Sequence, residues 1–291
     1  MARKPHSELE PGLYIVATPI GNLGDITLRA LDVLSKVDIL ACEDTREAGR
    51  LTSVYDIEVQ KIPYHDHNAA EMCPKLVTAM QEGGRVALIS DAGMPLVSDP
   101  GYKLVSEAAK AGVAVTCVPG ASASLAALVL SGLPPDRFMF AGFLPPKSAA
   151  RKASLAEVKD VPATLVFYET APRLAASLKD MLEILGDRPA AVARELTKKF
   201  EEVRRDTLSA LAAHYDAEGP PKGEIAVVVG APVAGVAENW TDESLDALLL
   251  KLMDKEGMGV KDAAGFAAAQ SGRRRGDLYQ RALLLKGKKQ K

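Results

Sequence analysis

The sequence has few of the residues on which several common kinds of protein depend. It contains 4 histidines and 3 cysteines, and the cysteines at positions 42, 73 and 117 show no paired spacing. Such scattered cysteines exclude a disulfide framework or a zinc ribbon and favour a reducing cytosol. No window approaches about 18 uninterrupted apolar residues, so we predict no transmembrane helix and expect a soluble, cytoplasmic protein.

Net charge is also lacking. The chain has 36 Lys and Arg residues against 38 Asp and Glu residues, a formal charge of -2 over 291 residues. This balance removes the simplest argument for a nucleic-acid partner, a cationic protein as a whole. The first residues, MARKPHSELEPG, are polar and carry no apolar stretch of the kind that a signal peptide needs. We therefore predict a short disordered tail over residues 1–11.

What the sequence does have is an alternation of β-branched segments with Ala- and Leu-rich segments of helical period. This alternation is typical of an α/β fold with buried parallel strands and crossover helices. The strands predicted for an N-terminal lobe over 12–124 are 12–17, 37–42, 58–63, 85–90 and 113–118. The helices predicted between them are 27–36, 46–53, 69–81 and 102–111.

A second run of strands follows a helix near 122–131 and a break at SGLPPDRF. Its predicted strands are 137–142, 163–168, 190–194, 201–205 and 224–229, with helices over 148–158 and 172–185. This pattern predicts a second α/β lobe over 125–232. The Ala-, Gly- and Pro-rich segment that comes next is typical of a linker, and Thr241 or Asp242 is expected to cap the following helix.

The last part of the chain, 240–291, shows no strand pattern. Glycine turns divide it into three predicted helices, of which the last two resemble a helix-turn-helix. Between Arg273 and Lys291 eight Lys or Arg residues stand against one acid, Asp277. Such a run is either a solvated tail or a nucleic-acid contact, and its composition alone does not choose between them.

Three loops that follow predicted parallel strands are rich in glycine, proline and polar residues: TPIGNLGDIT (18–27), SDAGMPLVSDPG (90–101) and VPGASA (118–123). Gly-x-Gly-x-x-Gly is missing, and no Lys-Ser/Thr follows the glycines, so neither a dinucleotide fingerprint nor a phosphate-binding loop is supported. Asp91 is placed to bind a pair of hydroxyls, and Ser122 or Ser124 to cap a helix. Because the carboxyl ends of parallel strands meet at one edge, the loops predict a shared ligand pocket.

Charged clusters follow other strands. EDTREAGR (43–50) and HDHN (65–68) belong to the first lobe, and FYETAPRL (167–174), ARELTKKFEEVRR (193–205) and PPKGEIAVVV (220–229) to the second. His-Asp-His suggests a metal, but no second His or Cys pair completes a site, so we predict none. Exposed salt-bridged strand ends explain the second-lobe clusters as well as a ligand does.

The segments TPIGNLGDIT, CEDTR, HDHN, SDAGMPLVSDPG, VPG, FYE, ARELTK and KGE, in this order and spacing, resemble the ribosomal RNA small subunit methyltransferase I family of the tetrapyrrole methylase superfamily. The resemblance spans about residues 12–230, and the terminal helices resemble that family's helix-turn-helix extension. Met94 stands where the family is expected to have Thr, and VPGASA replaces the commoner Pro-Gly-Pro-Cys/Ser-Ala.

The resemblance implies the two-lobed class III methyltransferase fold with a small helical extension. It also implies a homodimer without a metal that binds S-adenosylmethionine in the cleft between the lobes and 2′-O-methylates a decoding-centre cytidine of 16S rRNA in the small ribosomal subunit. The residues implied to contact the cofactor are Pro19, Ser90, Asp91, Ala92, Gly93, Met94, Pro95, Pro119, Gly120, Ala121, Ser122, Ala123, Tyr168, Leu196, Thr197, Glu224, Ile225 and Ala226.

A ribose hydroxyl is a weak acid, so its methylation calls for a proton acceptor or for a cation that stabilises the alkoxide. Asp44, Arg46 and His65 are our hypothesis for these roles, because all three follow strands of the N-terminal lobe. The candidates for contact with RNA phosphates are Arg46, Lys147, Arg151, Arg173, Lys198, Lys199, Arg273, Arg274 and Arg275.

Two other functions are open to the same fold. One is methylation of a tetrapyrrole or corrin, and the other is a non-catalytic role in RNA assembly. The basic terminal helices and the polar EDTR and HDHN loops disfavour the macrocycle, whose cleft is expected to be more apolar.

Overall fold

The computed structural model describes residues 8–232, 240–254, 257–271 and 273–288. Residues 1–7 of the predicted tail and 233–239 of the predicted linker lie outside this part. The first five strands are β1 (Gly12–Val16), β2 (Ile39–Cys42), β3 (Gln60–Pro63), β4 (Arg85–Ile89) and β5 (Val115–Val118). They form one sheet in the order β3-β2-β4-β1-β5, in which every pairing is parallel, as predicted.

The helices of the first lobe cross from strand to strand and cover both faces of this sheet. They are α1 (Leu28–Leu34), α2 (Thr45–Val54), α3 (Ala69–Gln81) and α4 (Tyr102–Lys110). Leu34 of α1 packs with Tyr14 and Leu40 on one face, and Leu76 of α3 packs with Leu13 on the other. Burial on both faces explains why the three inner strands, β1, β2 and β4, have nearly continuous apolar sequences.

The second sheet is mixed. After α5 (Ala123–Ser131), its strands are β6 (Phe138–Phe143), β7 (Thr164–Thr170), β8 (Pro189–Arg194), β9 (Glu202–Thr207) and β10 (Glu224–Val229), in the order β6-β7-β10-β8-β9. The β6-β7 pair is parallel and the other pairs are antiparallel.

The two faces of the second sheet are covered by different helices. Ala127 and Leu128 of α5 pack against Val166 and Val228 on one face. The other face is covered by α6 (Ser148–Val158), α7 (Leu174–Leu185) and α8 (Leu208–Glu218). Helix α8 was not predicted from the sequence, because apolar residues occur around the whole helix and leave little periodicity.

The helical end of the chain has a small core of its own. Leu245 and Leu249 of α9 (Asp242–Asp254) pack with Ala263 and Ala267 of α10 (Val260–Ser271) and with Leu278 of α11 (Arg275–Lys288). Thr241 caps α9, since its Oγ1 accepts the Ser244 N–H at 3.2 Å. No helix within the described part of the chain is long and apolar enough to span a membrane.

Arg151 corrects one sequence prediction. We expected it to contact RNA, but its side chain is only 4% exposed and its Nε donates to Asp180 Oδ2 at 2.7 Å. Its Nη1 also donates to the Pro146 carbonyl at 3.2 Å. Arg151 therefore joins α6 to α7 and is not available to a phosphate.

Replacing Asp180 with Ala leaves the buried Arg151 guanidinium without its counter-ion, so we expect the free energy of unfolding to fall by about 3–5 kcal/mol. The matched control is Glu183→Ala, which breaks the bond from Lys152 to a glutamate that is 60% exposed. That change is expected to cost about 0–1 kcal/mol. Urea denaturation of both variants measures the difference, and equal decreases would contradict the assignment.

Candidate active site

The loops that follow β1, β4 and β5 meet at one edge of the parallel sheet. The Thr18 N–H donates to the Gly93 carbonyl at 2.9 Å, and the Gly93 N–H donates to the Thr18 carbonyl at 3.2 Å. Gly120 lies so close to the first loop that a Cβ there would be 2.9 Å from the Cβ of Ala17. Main-chain contacts thus bring the three loops together, as the parallel topology requires.

The second lobe contributes to this edge through Tyr168 of β7. Its hydroxyl accepts the N–H of Ser124, in the first turn of α5, at 3.1 Å. Ser122 occupies the N-cap position, but its side chain accepts no N–H of the helix. The prediction of a serine cap is therefore wrong, because the hydroxyl of a tyrosine from the second sheet accepts the N–H instead. Burial raises the pKa of Tyr168, so it remains a neutral hydroxyl.

A cavity of about 450 Å³ lies between the loops of the first lobe and the second sheet. Its walls combine main chain and small residues with apolar side chains, including Ile20, Met94 and Leu196. The acids that line it are Asp99, Glu169 and Glu224, and no Lys, Arg or His stands among the described lining residues. Acidic groups on an apolar wall fit a cationic ligand with an aromatic part, which matches the sulfonium, adenine-bearing cofactor expected from the sequence.

The three acids are held in different ways. Glu169 is buried, and its oxygens bind the Thr170 N–H, the Ser177 hydroxyl and the Arg173 guanidinium. Glu224 is largely exposed and accepts the Lys198 ammonium at 3.0 Å. Asp99 is half-buried and, among the described residues, makes no ion pair.

Asp99 belongs to a group of three acids whose pKa values are raised. Burial, together with the nearby charge of Glu43, raises the pKa of Asp99 to about 6, although the Ser90 hydroxyl opposes the shift. Burial and the charge of Asp91 raise the pKa of Glu43, and burial raises that of Asp91. Carboxyls with raised pKa values beside a cavity are candidates for proton transfer. Asp99 and Glu43 lie within the SDAGMPLVSDPG and EDTREAGR segments, but neither was selected from the sequence.

A second cavity of about 340 Å³ adjoins the first, and Ile20, Ala92 and Glu224 line both. The other described residues that line it are Thr18, Pro19, Gly21, Leu23, Glu47, Ala48, Arg50, Leu51, Val54, Ile89, Ser90, Asp91 and Lys198. Unlike the larger cavity, it has two cationic side chains in its wall, Arg50 and Lys198. The second cavity therefore has cations as well as acids in its wall, and these are paired, Arg50 with Glu47 at 2.5 Å and Lys198 with Glu224 at 3.0 Å.

Lys198 reaches from the second lobe to the first. Its ammonium binds Glu195 at 2.9 Å and Glu224 at 3.0 Å. Its aliphatic stem fills the space beside Gly21, where a Cβ would lie 2.5 Å from the stem. Gly21 has a φ of 143°, so both its conformation and the contact require glycine. This contact closes one side of the second cavity.

Two of the predicted catalytic residues bind each other. Asp44 caps α2 by accepting the Arg46 N–H at 2.8 Å, and the Arg46 guanidinium binds the same carboxylate at 2.6 Å. These contacts with Arg46 lower the pKa of Asp44 to about 2, which makes the carboxylate a weak base. The geometry gives Asp44 a capping role and leaves most of the Arg46 side chain, 84% exposed, in solvent.

His65 follows β3. Its N–H donates to Asn68 Oδ1 at 2.9 Å, and its ring meets the His67 ring edge-on at 5.9 Å between centroids. The buried Nδ1 of His65 finds no hydrogen-bond partner in the described structure. In the described residues no group of three or more His, Cys, Asp or Glu side chains is arranged to hold a metal.

The residues implied to contact the cofactor fall into three sets. The larger cavity is lined by Ala92, Gly93, Met94, Ser122, Ala123, Tyr168, Leu196, Glu224, Ile225 and Ala226. Pro19, Ser90 and Asp91 line the second cavity, together with Ala92 and Glu224. Neither cavity is lined by Pro95, Pro119, Gly120, Ala121 or Thr197, which belong to the same loops. The lining residues that were not predicted from the sequence include Ile20, Asp99, Phe143 and Glu169.

Some of the residues predicted to contact RNA are exposed, and others are bound by neighbouring groups. Arg46, Lys147, Lys199, Arg273, Arg274 and Arg275 are exposed. Arg173 is engaged by Glu169 and by the Leu144 carbonyl, and Lys198 by its two glutamates. Lys199 lies 5.6 Å from the ring centroid of Phe200, which is 65% exposed.

The sequence is similar to known protein families and to known proteins. Residues 12–212 match the family described as "Tetrapyrrole (Corrin/Porphyrin) Methylases", and residues 240–286 match the "RsmI C-terminal HTH domain". The chain is 55% identical to "Ribosomal RNA small subunit methyltransferase I" of Mesorhizobium japonicum over 283 residues, which cover 97% of this chain and 95% of that protein. It is 51% identical to the Erythrobacter litoralis protein of the same name, with 96% of each chain covered.

A solved structure shows the same fold. Uroporphyrin-III-C-methyltransferase from Thermus thermophilus superposes with a TM-score of 0.52 at 23% identity, over 75% of this chain and 94% of that one.

Proposed function

The chain belongs to the tetrapyrrole methylase family, and within it to ribosomal RNA small subunit methyltransferase I; from this premise we propose that it methylates 16S rRNA. The methyl donor is S-adenosylmethionine, and the acceptor is the ribose 2′-hydroxyl of a decoding-centre cytidine. The observation that carries the proposal is the junction of an acidic cavity with a second cavity that has cations in its wall. The acids of the larger cavity fit a cationic donor, and the cations next to it are of the type that binds RNA phosphates.

The larger cavity is the proposed cofactor site. The main chain of Ala92 and Gly93 and the first turn of α5 form one wall, and Tyr168, Leu196 and Ala226 form the other. When bound there, S-adenosylmethionine supplies a methyl group on a positively charged sulfur. The protein has to align the donor with the acceptor oxygen, which needs no metal. The closely bonded loops provide a fixed frame for that alignment.

The second cavity is the proposed site of the target nucleotide. Arg50 and Lys198 line it, and the exposed Arg46 guanidinium belongs to the same helix, α2, as Arg50. Cationic groups of this kind hold phosphates without reading sequence, and here a phosphate has to replace Glu47 at Arg50 and Glu224 at Lys198. The hypothesis that Arg46 and His65 assist the reaction stays a prediction. For Asp44, the ion pair with Arg46 favours a positioning role.

The exposed arginines at the start of α11 are the proposed contact with the surface of the small ribosomal subunit. The triple change Arg273→Gln, Arg274→Gln, Arg275→Gln should weaken binding and reduce the salt slope by about one for each phosphate that is no longer neutralised. Cofactor affinity should not change. The matched control replaces Lys75, Lys110 and Lys179, which are 62%, 68% and 55% exposed, with Gln. Equal slopes for the triple variant and the unmodified protein in a salt titration would contradict this contact.

We also propose the homodimer that the resemblance implied. The edge strand β6 exposes Phe138, Met139 and Phe143, and an edge with apolar side chains is usually covered. A light-scattering mass equal to the 30.9 kDa of a single chain would contradict the dimer.

The experiment that tests the function incubates the purified protein with methyl-labelled S-adenosylmethionine and either small ribosomal subunits or a corrin precursor. We expect label in 16S rRNA, recovered after nuclease digestion as 2′-O-methylcytidine. Label in the corrin precursor would support the alternative small-molecule activity. Subunit binding without any label would support a non-catalytic assembly role instead.

A further inference from the structure

The segment that joins β8 to β9 contains a tight turn with an aromatic side chain at its tip. The Glu201 N–H donates to the Lys198 carbonyl at 3.1 Å, and this bond closes the turn. It is the bond from the last to the first residue of a β-turn, so Lys199 and Phe200 are the two central residues. Both are exposed, and 65% of the Phe200 surface is in contact with solvent.

The turn is held on both sides by side chains. The Lys198 ammonium binds Glu195 at 2.9 Å and Glu224 at 3.0 Å. Glu201 Oε2 accepts the Thr197 N–H at 2.7 Å. Glu195 and Thr197 have φ values of 51° and 65°, which non-glycine residues adopt where the surrounding structure enforces them. The exposed ring is therefore carried on a fixed support.

Lys199 adds a cation to the ring. Its Nζ lies 5.6 Å from the centroid of the Phe200 ring, close enough for attraction to the ring face. In the described part of the chain Lys199 makes no ion pair, whereas Lys198 is held by two glutamates. The nearby acid Glu202 is bound by the Arg194 guanidinium at 2.6 Å. The tip of the turn thus presents an ammonium without a counter-ion beside an aromatic ring.

The turn stands next to the second cavity. Lys198 is in the wall of that cavity, and Leu196 is in the wall of the larger one. Two residues of chain span at most about 7 Å, so the Phe200 backbone lies within that distance of Lys198. Phe200 itself lines neither cavity. A base that contacts the ring is therefore a neighbour of the nucleotide in the second cavity, and not that nucleotide itself.

We propose that Phe200 stacks on an unpaired base next to the target nucleotide while Lys199 binds a phosphate of the same strand, an inference that rests on the proposed function. A nucleotide that enters a cavity leaves its helix, so its neighbour loses a stacking partner, which an aromatic ring replaces. Proteins hold single-stranded RNA by this combination of aromatic rings and cations. Every base has a flat face, so Phe200 positions the strand without reading its sequence.

Three substitutions separate stacking from a merely apolar contact. With labelled S-adenosylmethionine and small ribosomal subunits, Phe200→Ala and Phe200→Leu should each raise the KM for subunits about tenfold, because a stacked base is lost. Phe200→Trp keeps a flat ring and should stay within about threefold of the unmodified KM. In all three, kcat and the Kd for S-adenosylmethionine should change less than about threefold, since the side chain lines neither cavity.

The matched control is Tyr102→Ala. Tyr102 is an aromatic residue that is 78% exposed and, like Phe200, lines neither cavity. Its replacement should leave the KM for subunits unchanged. An equal rise in KM for Tyr102→Ala and Phe200→Ala would contradict a specific contact at the turn.

Crosslinking identifies what lies against the ring. The full-length protein with photoreactive p-azidophenylalanine in place of Phe200 is bound to small ribosomal subunits and irradiated. We expect a crosslink to 16S rRNA beside the nucleotide that the protein methylates. A crosslink to a ribosomal protein, or none at all, would overturn the inference.

The outcomes distinguish this inference from the proposed function. If the unmodified protein labels 16S rRNA and Phe200→Ala keeps its KM within about threefold, the inference fails and the proposed function stands. If Phe200→Leu keeps the unmodified KM while Phe200→Ala does not, the contact is apolar and stacking is refuted. If the unmodified protein transfers no label, the proposed function fails. A crosslink from position 200 to 16S rRNA would then still support the stacked base, and its absence would overturn both.

Discussion

The candidate site depends on the parallel pairing of the first five strands. Parallel strands need crossover connections, so the five strands reach the same edge with their carboxyl ends, and the first lobe's loops that line the cavities begin there. The mutual N–H to carbonyl bonds between Thr18 and Gly93 are possible only because β1 and β4 end side by side. Tyr168 then joins the second sheet to this edge by accepting the Ser124 N–H. The larger cavity is the space that remains between these bonded parts.

Cationic side chains are unevenly distributed around that space although the chain as a whole is close to neutral. The larger cavity has acids in its wall, whereas Arg50 and Lys198 line the second cavity and Arg46 is exposed on α2. The cations of the second cavity are paired with acids, Arg50 with Glu47 at 2.5 Å and Lys198 with Glu224 at 3.0 Å, so its wall carries both signs of charge. A cationic methyl donor is attracted to the acidic cavity, whereas an anionic RNA has to compete with Glu47 and Glu224 for the cations beside it.

Most secondary structure and the parallel first sheet were predictable, because periodicity and glycine boundaries are local properties of the chain. Helix α8 was missed for a local reason, its lack of periodicity, whereas the errors at the candidate site have long-range causes. Arg151 was predicted to meet RNA, yet its partner Asp180 lies on another helix, and no local pattern in the sequence shows this pairing. The N–H of Ser124 was expected to be capped by a serine, but it binds the hydroxyl of Tyr168, 44 positions further along the chain. Asp99 stands in the SDAGMPLVSDPG loop, but its raised pKa comes from burial and from Glu43 after another strand.

At Asp99 both the backbone conformation and the burial of charge are unfavourable for stability, and no ion pair in the described structure compensates for them. Two non-glycine residues with positive φ precede it, and it has no cationic partner in the described structure to offset its burial. A fold selected only for stability would relax the loop or pair the acid, since each departure is unfavourable. The neighbouring acids Glu169 and Glu224 are paired in this way. A carboxylate that has no counter-ion and stands on a strained loop in a cavity wall is therefore better explained by a role in the site than by a role in packing.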